Sequence, residues 1–288
     1  MARELGDNIV TSSPLPSTAT EPLSRKPNSQ AWYRPTISPE HGVYVMLLAS
    51  FLIGAAAAVN WTWATTLALI CAFCGFQAEH PLVVQIRQRR SPKPRLLVWG
   101  SLYSGVAIAI ALYLYWQQGN LLSPLLWIYL GAIAAFLFDA ISVFYREQKS
   151  VLNELITFFA VCLSAPLAYV VTTGTLSPSV LGLWLLNSLF FSSAIFTVKL
   201  RKDKQHPITP SLVYHAIATL LIVGLWAIGW LSPLTALAFG VALLKLGIIL
   251  SQKNWYCTTK IQFVAMLETG TALLFLLIAT LSILPARL

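Results

Sequence analysis

RQRRSPKPRLLVWGSLYSGVAIAIALYLYWQQGN, residues 87–120, is basic at one end, neutral at the other, and carries no charge from Leu96 to Trp116. A helix needs about 20 residues to cross a hydrocarbon core about 30 Å thick, and this uncharged run is long enough to do so. Five cations precede it (Arg87, Arg89, Arg90, Lys93, Arg95), whereas the turn after it, Gln117-Gln118-Gly119-Asn120, has none. One stretch therefore shows both a transmembrane span and an asymmetry between its two ends.

Working outward, comparable runs recur along the chain, at approximately 42–59, 61–77, 96–116, 121–140, 151–172, 180–199, 211–231, 233–250 and 263–284. The whole chain is 57% hydrophobic and 10% charged, against roughly 25% charged in a soluble domain, which excludes a water-soluble enzyme. Chain-wide disorder is excluded too, because disordered chains are poor in apolar residues and rich in charge. Only helices or closed barrels satisfy the backbone in lipid, and continuous apolar runs are not the alternating strands of a barrel. The expected fold is an all-α polytopic bundle of about nine transmembrane helices over residues 41–288.

Residues 1–40 differ from the rest. They contain sixteen Ser, Thr or Pro and four charges of each sign, too little apolar surface to offset chain entropy. A flexible tail is expected. It has no apolar core of a secretory signal, and Glu4, Asp7 and Glu21 argue against a transit peptide.

The net charge of +9 is explained by where the cations lie. Arg146 and Lys149 join spans 4 and 5; Lys199, Arg201, Lys202 and Lys204 join 6 and 7; Lys253 and Lys260 join 8 and 9. Asn60, Gln117 to Asn120, Thr172 to Ser179 and Leu231-Ser232-Pro233 carry no charge, so every second connection is basic. The positive-inside rule then puts the N-terminus in the cytoplasm and the C-terminus outside. Topology and contact with anionic headgroups are the plainer reading of the basic loops, and nucleic acid is not needed.

Polar residues inside the spans are more informative, because an ionisable group there costs at least about 2.5 kcal/mol on insertion scales and needs a partner or water. Glu154, Asn187, His215, Lys245 and Glu268 are such residues, and Asp139 closes span 4. Lys245 and Glu268 sit at comparable depth on consecutive antiparallel spans, so they should pair as a structural ion pair that sets helix register. Arg146 and Lys149 precede Glu154 by two turns and one, which would surround it with cations in a wet pocket. Glu40, His41, Glu79 and His80 come from the same ends of spans 1 and 2 and could meet. An imidazole with a carboxylate suits acid–base work or a metal, while interfacial capping is the simpler use.

Other features carry less. Cys71 and Cys74 form a CxxC only in letters, inside a span and without a second pair. Gly131, Gly182, Gly224, Gly229, Gly240 and Gly247 read as close-packing points between helices. Pro166 should kink span 5 and free carbonyls that only protein or water can satisfy.

Ile37-Ser-Pro-Glu-His41-Gly-Val-Tyr-Val-Met, the segment ending Leu152-Asn-Glu154-Leu before Ala165-Pro166, and the stretch from Trp184 to Arg201 together resemble the YwiC-like family of bacterial membrane proteins. The resemblance spans roughly residues 37–284 and implies topology more than chemistry. The nine-span plan is also similar to that of UbiA-type aromatic prenyltransferases, whose loops after spans 2 and 6 hold aspartate-rich motifs for magnesium and a prenyl diphosphate. Here those loops offer Glu79 and Asp203 among cations, without the expected aspartates, so Mg stays an open cofactor.

That likeness implies a membrane-embedded transferase acting on an isoprenoid-type or quinone-type substrate, with membrane lipid around it. Glu79, His80, Glu154 and Asp203 would be its catalytic groups, and His41, Arg87, Arg146, Lys149, Asn187, Lys199 and Arg201 its binding groups. Two other functions are compatible with the same residues. One is a small-solute or ion transporter with a path along Glu154, His215, Lys245 and Glu268; the other is a non-catalytic scaffold of a bioenergetic membrane. The transporter needs polar residues that continue through the bundle, and the transferase needs them gathered at one end. A bacterial inner membrane or an internal, thylakoid-type membrane is the expected location.

Overall fold

The computed structural model describes residues 33–88, 92–120, 122–202 and 207–284, all within one compact unit. Every regular element among them is an α-helix. α1 (His41–Ala58), α2 (Trp63–Gln88), α3 (Pro94–Gln117) and α4 (Pro124–Phe144) supply one span each. α5 (Val151–Cys162) and α6 (Ser164–Thr173) share the fifth, followed by α7 (Pro178–Lys202) and α8 (Thr209–Ala227). α9 (Pro233–Leu237) and α10 (Gly240–Ser251) share the eighth, and α12 (Ile261–Ile283) follows the short α11 (Lys253–Thr258). Nine spans are thus present among the described residues, and the chain is an integral membrane protein. Arg89, Arg90, Asp203, Lys204 and the tail up to residue 32 lie outside the described residues.

Helix starts follow local chemistry. Pro94, Pro124 and Pro233 open α3, α4 and α9, where a missing N–H costs nothing. Ser123, Ser150 and Ser232 cap the next donors, accepting from Leu125, Asn153 and Thr235 N–H at 3.2, 3.2 and 3.1 Å. Short connections make consecutive spans antiparallel, so the described cations between spans gather at one end of the bundle, called the basic end below.

Span 2 departs from expectation. α2 does not stop near residue 77 but runs through Pro81 to Gln88. Pro81 leaves only the Gln77 carbonyl without its helical partner, and the proline ring is buried beside Leu82 and Gly100 of α3, so packing outweighs one lost hydrogen bond. Glu79 and His80 therefore sit inside a helix, with fixed directions, rather than at its frayed end.

α7 is the axis. In its central window 72% of residues are buried, against 11% for α3 at the rim. α1 packs beside it and against α6 and α12, and α5 lies between α7 and α4. The kink expected at Pro166 is a full break at Leu163. Leu163 N–H turns to the Ala160 carbonyl at 3.0 Å, which frees the Phe159 carbonyl, and Trp184 Nε1 of α7 donates to it at 3.0 Å. In lipid no solvent could have done so.

The break also lets α6 approach α1. A Cβ on Gly54 would stand 2.0 Å from the Ala165 carbonyl oxygen, so only glycine fits. Ser164 Oγ bonds the Leu47 carbonyl at 3.1 Å and Ser50 Oγ the Cys162 sulfur at 3.4 Å across the same seam. Of the glycines expected to mark close packing, Gly182 does so, with a built Cβ at 3.0 Å from the Trp230 carbonyl, and Gly131 is in ordinary contact. Gly224, Gly229, Gly240 and Gly247 have nothing within 4 Å, which corrects their assignment. Those positions face open space, and Gly229 instead serves a turn at φ 77°. Gly54→Ala is expected to destabilise the bundle by about 1–3 kcal/mol through overpacking, with Gly224→Ala neutral, as read by thermal unfolding in detergent.

Candidate functional site

Three groups of polar side chains occupy the basic end. The first joins α1, α2, α4 and α5. Gln77 of α2 ties down the segment before α1, its Oε1 accepting from Ser38 N–H at 3.1 Å and its Nε2 donating to Tyr44 Oη at 2.6 Å. Tyr44 Oη in turn donates to the Ser38 carbonyl at 3.1 Å, and its ring meets Phe76 edge-on. This clasp sets Glu40 beside the Glu79 carboxyl. Across from them Asp139 of α4 is buried, its Oδ1 accepting from Asn153 Nδ2 of α5 at 2.7 Å.

The Asp139 carboxyl lies within electrostatic reach of Glu79 and Glu40. Its Oδ2 is buried without a hydrogen-bond partner, an acceptor that a proton, a water or a cation can serve. Crowding by protein atoms, then the Asp139 charge, raises Glu40 above the ordinary carboxylate range although much of the residue is exposed. His41 is exposed and His80 half-buried, and neither joins the carboxyls. The expected four-residue cluster is instead three acids and an amide. Asp139 was legible only as a span end and Asn153 was not singled out, because the α4–α5 hairpin is what brings them together.

The second group is Glu154 of α5 with Lys199 of α7, Oε2 to Nζ 2.7 Å. Arg146 and Lys149, expected around Glu154, are exposed in the turn before α5. The turn is not helical, so the one-turn and two-turn spacing expected for Lys149 and Arg146 does not hold there; Arg146 follows α4 at φ 65°. Phe138 and Leu155, chain neighbours of Asp139 and Glu154, line one end of an apolar groove of about 750 Å³ between α4 and α5–α7. Gly131, Ala134, Ala135, Pro166 and Trp184 continue its walls.

The third group lies behind α7. Lys245 Nζ meets Glu268 Oε2 at 2.8 Å, with the lysine side chain 1% exposed, and stands 5.7 Å from the Phe190 ring centroid. Thr197 Oγ1 donates to Glu268 Oε1 at 3.4 Å. His215 of α8 is buried within electrostatic reach of both charges. Tyr256 of α11 closes the lower end, its phenol pushed above its ordinary range by burial and by Glu268. Arg201 bonds the Thr259 carbonyl, facing away from Lys199. Asn187 is fully buried with both side-chain polar atoms unpaired. Arg87 is exposed at the end of α2. The named binding residues are thus spread over separate places and do not form one anion clamp among the described residues.

No three His, Cys, Asp or Glu side chains among the described residues are placed to hold a metal ion. Cys71 and Cys74 are free thiols.

Fold and site together define a polytopic helical membrane protein with its charged groups at one end. The chain carries a YwiC-like region: the family model described as YwiC-like protein matches residues 37–169, from the segment before α1 to Tyr169 in α6. The match contains the whole three-acid group and Glu154, and it ends before α7, short of residue 284. No curated protein matches the chain.

Removing one partner of a buried ion pair costs about 3–5 kcal/mol, because the other charge is stranded. Lys245→Met and Glu268→Met should each lower thermal stability by that order, and the Lys245→Met/Glu268→Met double variant by less than either. A double-variant loss equal to the sum of the two single losses would show that the pair is not coupled.

Proposed function

We propose that this protein is a UbiA-like membrane-embedded transferase that binds an anionic, lipid-soluble, isoprenoid-type substrate, with its polar groups facing the cytoplasm. The groove between α4 and α5–α7 carries the reading. Its lining is apolar, as an isoprenoid chain requires, and its end at Phe138 and Leu155 adjoins the positions of Asp139 and Glu154. A chain lying there would bring its headgroup to the Glu154–Lys199 ion pair, where Lys199 offers a cation to an anion.

The carboxyls have a distinct role in this reading. Glu79 and the neighbouring Asp139 can hold and move a proton at their carboxyl oxygens, with Asn153 Nδ2 orienting Asp139. Asp139 and Asn153 thus join Glu79 and Glu154 as the groups assigned to the site, while Arg87, Arg146 and Lys149 act on the surface as headgroup contacts. Because the described donors do not make a three-ligand cation site, no step is assigned to magnesium.

Transport fits less well. Among the described residues no Asp, Glu, Lys, Arg or His lies in the half of any span toward the neutral connections, so no charged path continues through the bundle. A bacterial inner or thylakoid-type membrane suits a substrate of this class.

The test is native mass spectrometry with lipid extraction on the detergent-purified protein, comparing wild type with Lys199→Ala, Glu154→Gln and Ala135→Trp. A co-purified isoprenoid, quinone or diphosphate lipid is expected in wild type, reduced about tenfold or more by the groove-filling tryptophan, equivalent to about 1.4 kcal/mol, and weakened by either charge variant. Bulk phospholipid alone, unchanged across all four proteins, would overturn the reading and favour a scaffold, to be pursued by crosslinking.

A further inference from the structure

The groups behind α7 are not used by the groove. Lys199 and Thr197 leave α7 roughly 160° apart at 3.6 residues per turn, so the Lys245–Glu268 side faces the opposite way. His215 is the telling residue there. Its Nδ1 lies 2.7 Å from the Ser211 carbonyl oxygen, which can only accept, so the neutral ring carries its proton on Nδ1. Nε2 is then a bare lone pair, and it is buried with no hydrogen-bond partner.

Neighbouring polar atoms share this condition. Ser193 Oγ, on the α7 face that carries Thr197, and Tyr256 Oη, beyond Glu268, are also buried and unpaired. Lys245 has three N–H donors and one carboxylate acceptor. Unpaired groups of this kind cost about 1–3 kcal/mol each when left dry, and water is the ligand that serves donors and acceptors alike. Toward the neutral end the charged and imidazole groups among the described residues stop at the Phe190–Phe275 stack, 3.9 Å between centroids, packed in a core with Leu186, Ile222 and Phe239. Toward the basic end they continue through Glu268 and Thr197 to Tyr256 and Arg201.

We propose that His215, beside the Lys245–Glu268 pair, is a proton-exchange site reached by water from the basic end. A hydronium ion there gives its proton to Nε2 and leaves as water; the imidazolium formed shares the Glu268 carboxylate with Lys245, so the cluster gains one positive charge, which the water reaching it from the basic end solvates. Release is the reverse step. The titratable and charged groups facing the ring are Lys245 from α10, Glu268 from α12 and Tyr214 on its own helix, with Tyr256 of α11 beyond Glu268. The site exchanges protons with one side only, so it does not carry them across the membrane.

Two measurements on the full chain in lipid nanodiscs test this. The protein has four histidines, so ¹⁵N-histidine labelling with a His215→Gln difference spectrum assigns the ring. The expected result is the Nδ1–H tautomer at high pH, converting to imidazolium as the pH is lowered. An Nε2–H tautomer, or a ring that stays neutral throughout, overturns the proposal. In wild type, radiolytic oxidation should mark His215 and Tyr256 about tenfold faster than the equally buried Phe51 and Phe239, as expected beside internal water. Equal rates would mean a dry site and overturn it as well. Neither readout depends on a lipid in the groove, so this inference and the transferase reading fail separately.

Discussion

Hydrocarbon supplies no hydrogen bonds, so every polar group in the spans must find its partner inside the bundle. That constraint explains the central joint of the molecule. Pro166 and the turn at Leu163 break the fifth span, the broken helix frees the Phe159 carbonyl, and the Trp184 indole of the axial α7 takes it up. The same break brings the Ala165 carbonyl against Gly54, and Ser164 bonds back to α1. One irregularity thus sets how α1, α5, α6 and α7 meet, and with them the wall of the apolar groove.

The constraint also sorts the charges. Helix ends at the basic side can spend side-chain length to reach one another, and they do so as Glu154 with Lys199 and Lys245 with Glu268, on opposite faces of α7. The more buried pair is held by Thr197 and by the face of Phe190. Where partners run out, at Asp139 Oδ2, His215 Nε2 and Asn187, the chain keeps polar groups that packing alone would have removed. Such groups are costly in a membrane interior, which makes them the places to expect chemistry.

Much of the fold is legible in residue order because lipid imposes a simple rule on length and hydropathy. The nine spans follow from it, and the break at Pro166 from the geometry of proline. The limits are equally physical. Pro81 resembles a helix end, yet burial against α3 carries α2 past it. Most of the glycines singled out line nothing, while Gly54 makes the closest approach, since a glycine's neighbours across a bundle leave no mark on its own stretch of chain. Equal depth on consecutive spans was enough to anticipate Lys245 facing Glu268. It was not enough for Glu154, whose cation comes from α7 and not from the adjacent turn, because that turn leaves helical geometry.

By itself the sequence determined an integral, all-helical membrane protein with nine spans and its cations at one end, since hydrophobic length and charge placement are properties of the chain taken segment by segment. It also named most of the ionisable residues that matter, because a charge in an apolar run is conspicuous. Only the tertiary structure decided which of them come together: Glu154 with Lys199, Asp139 with Asn153, and His215 within reach of Lys245 and Glu268. These pairings depend on the rotation of each helix about its axis, and that rotation is set by packing between helices far apart in the chain.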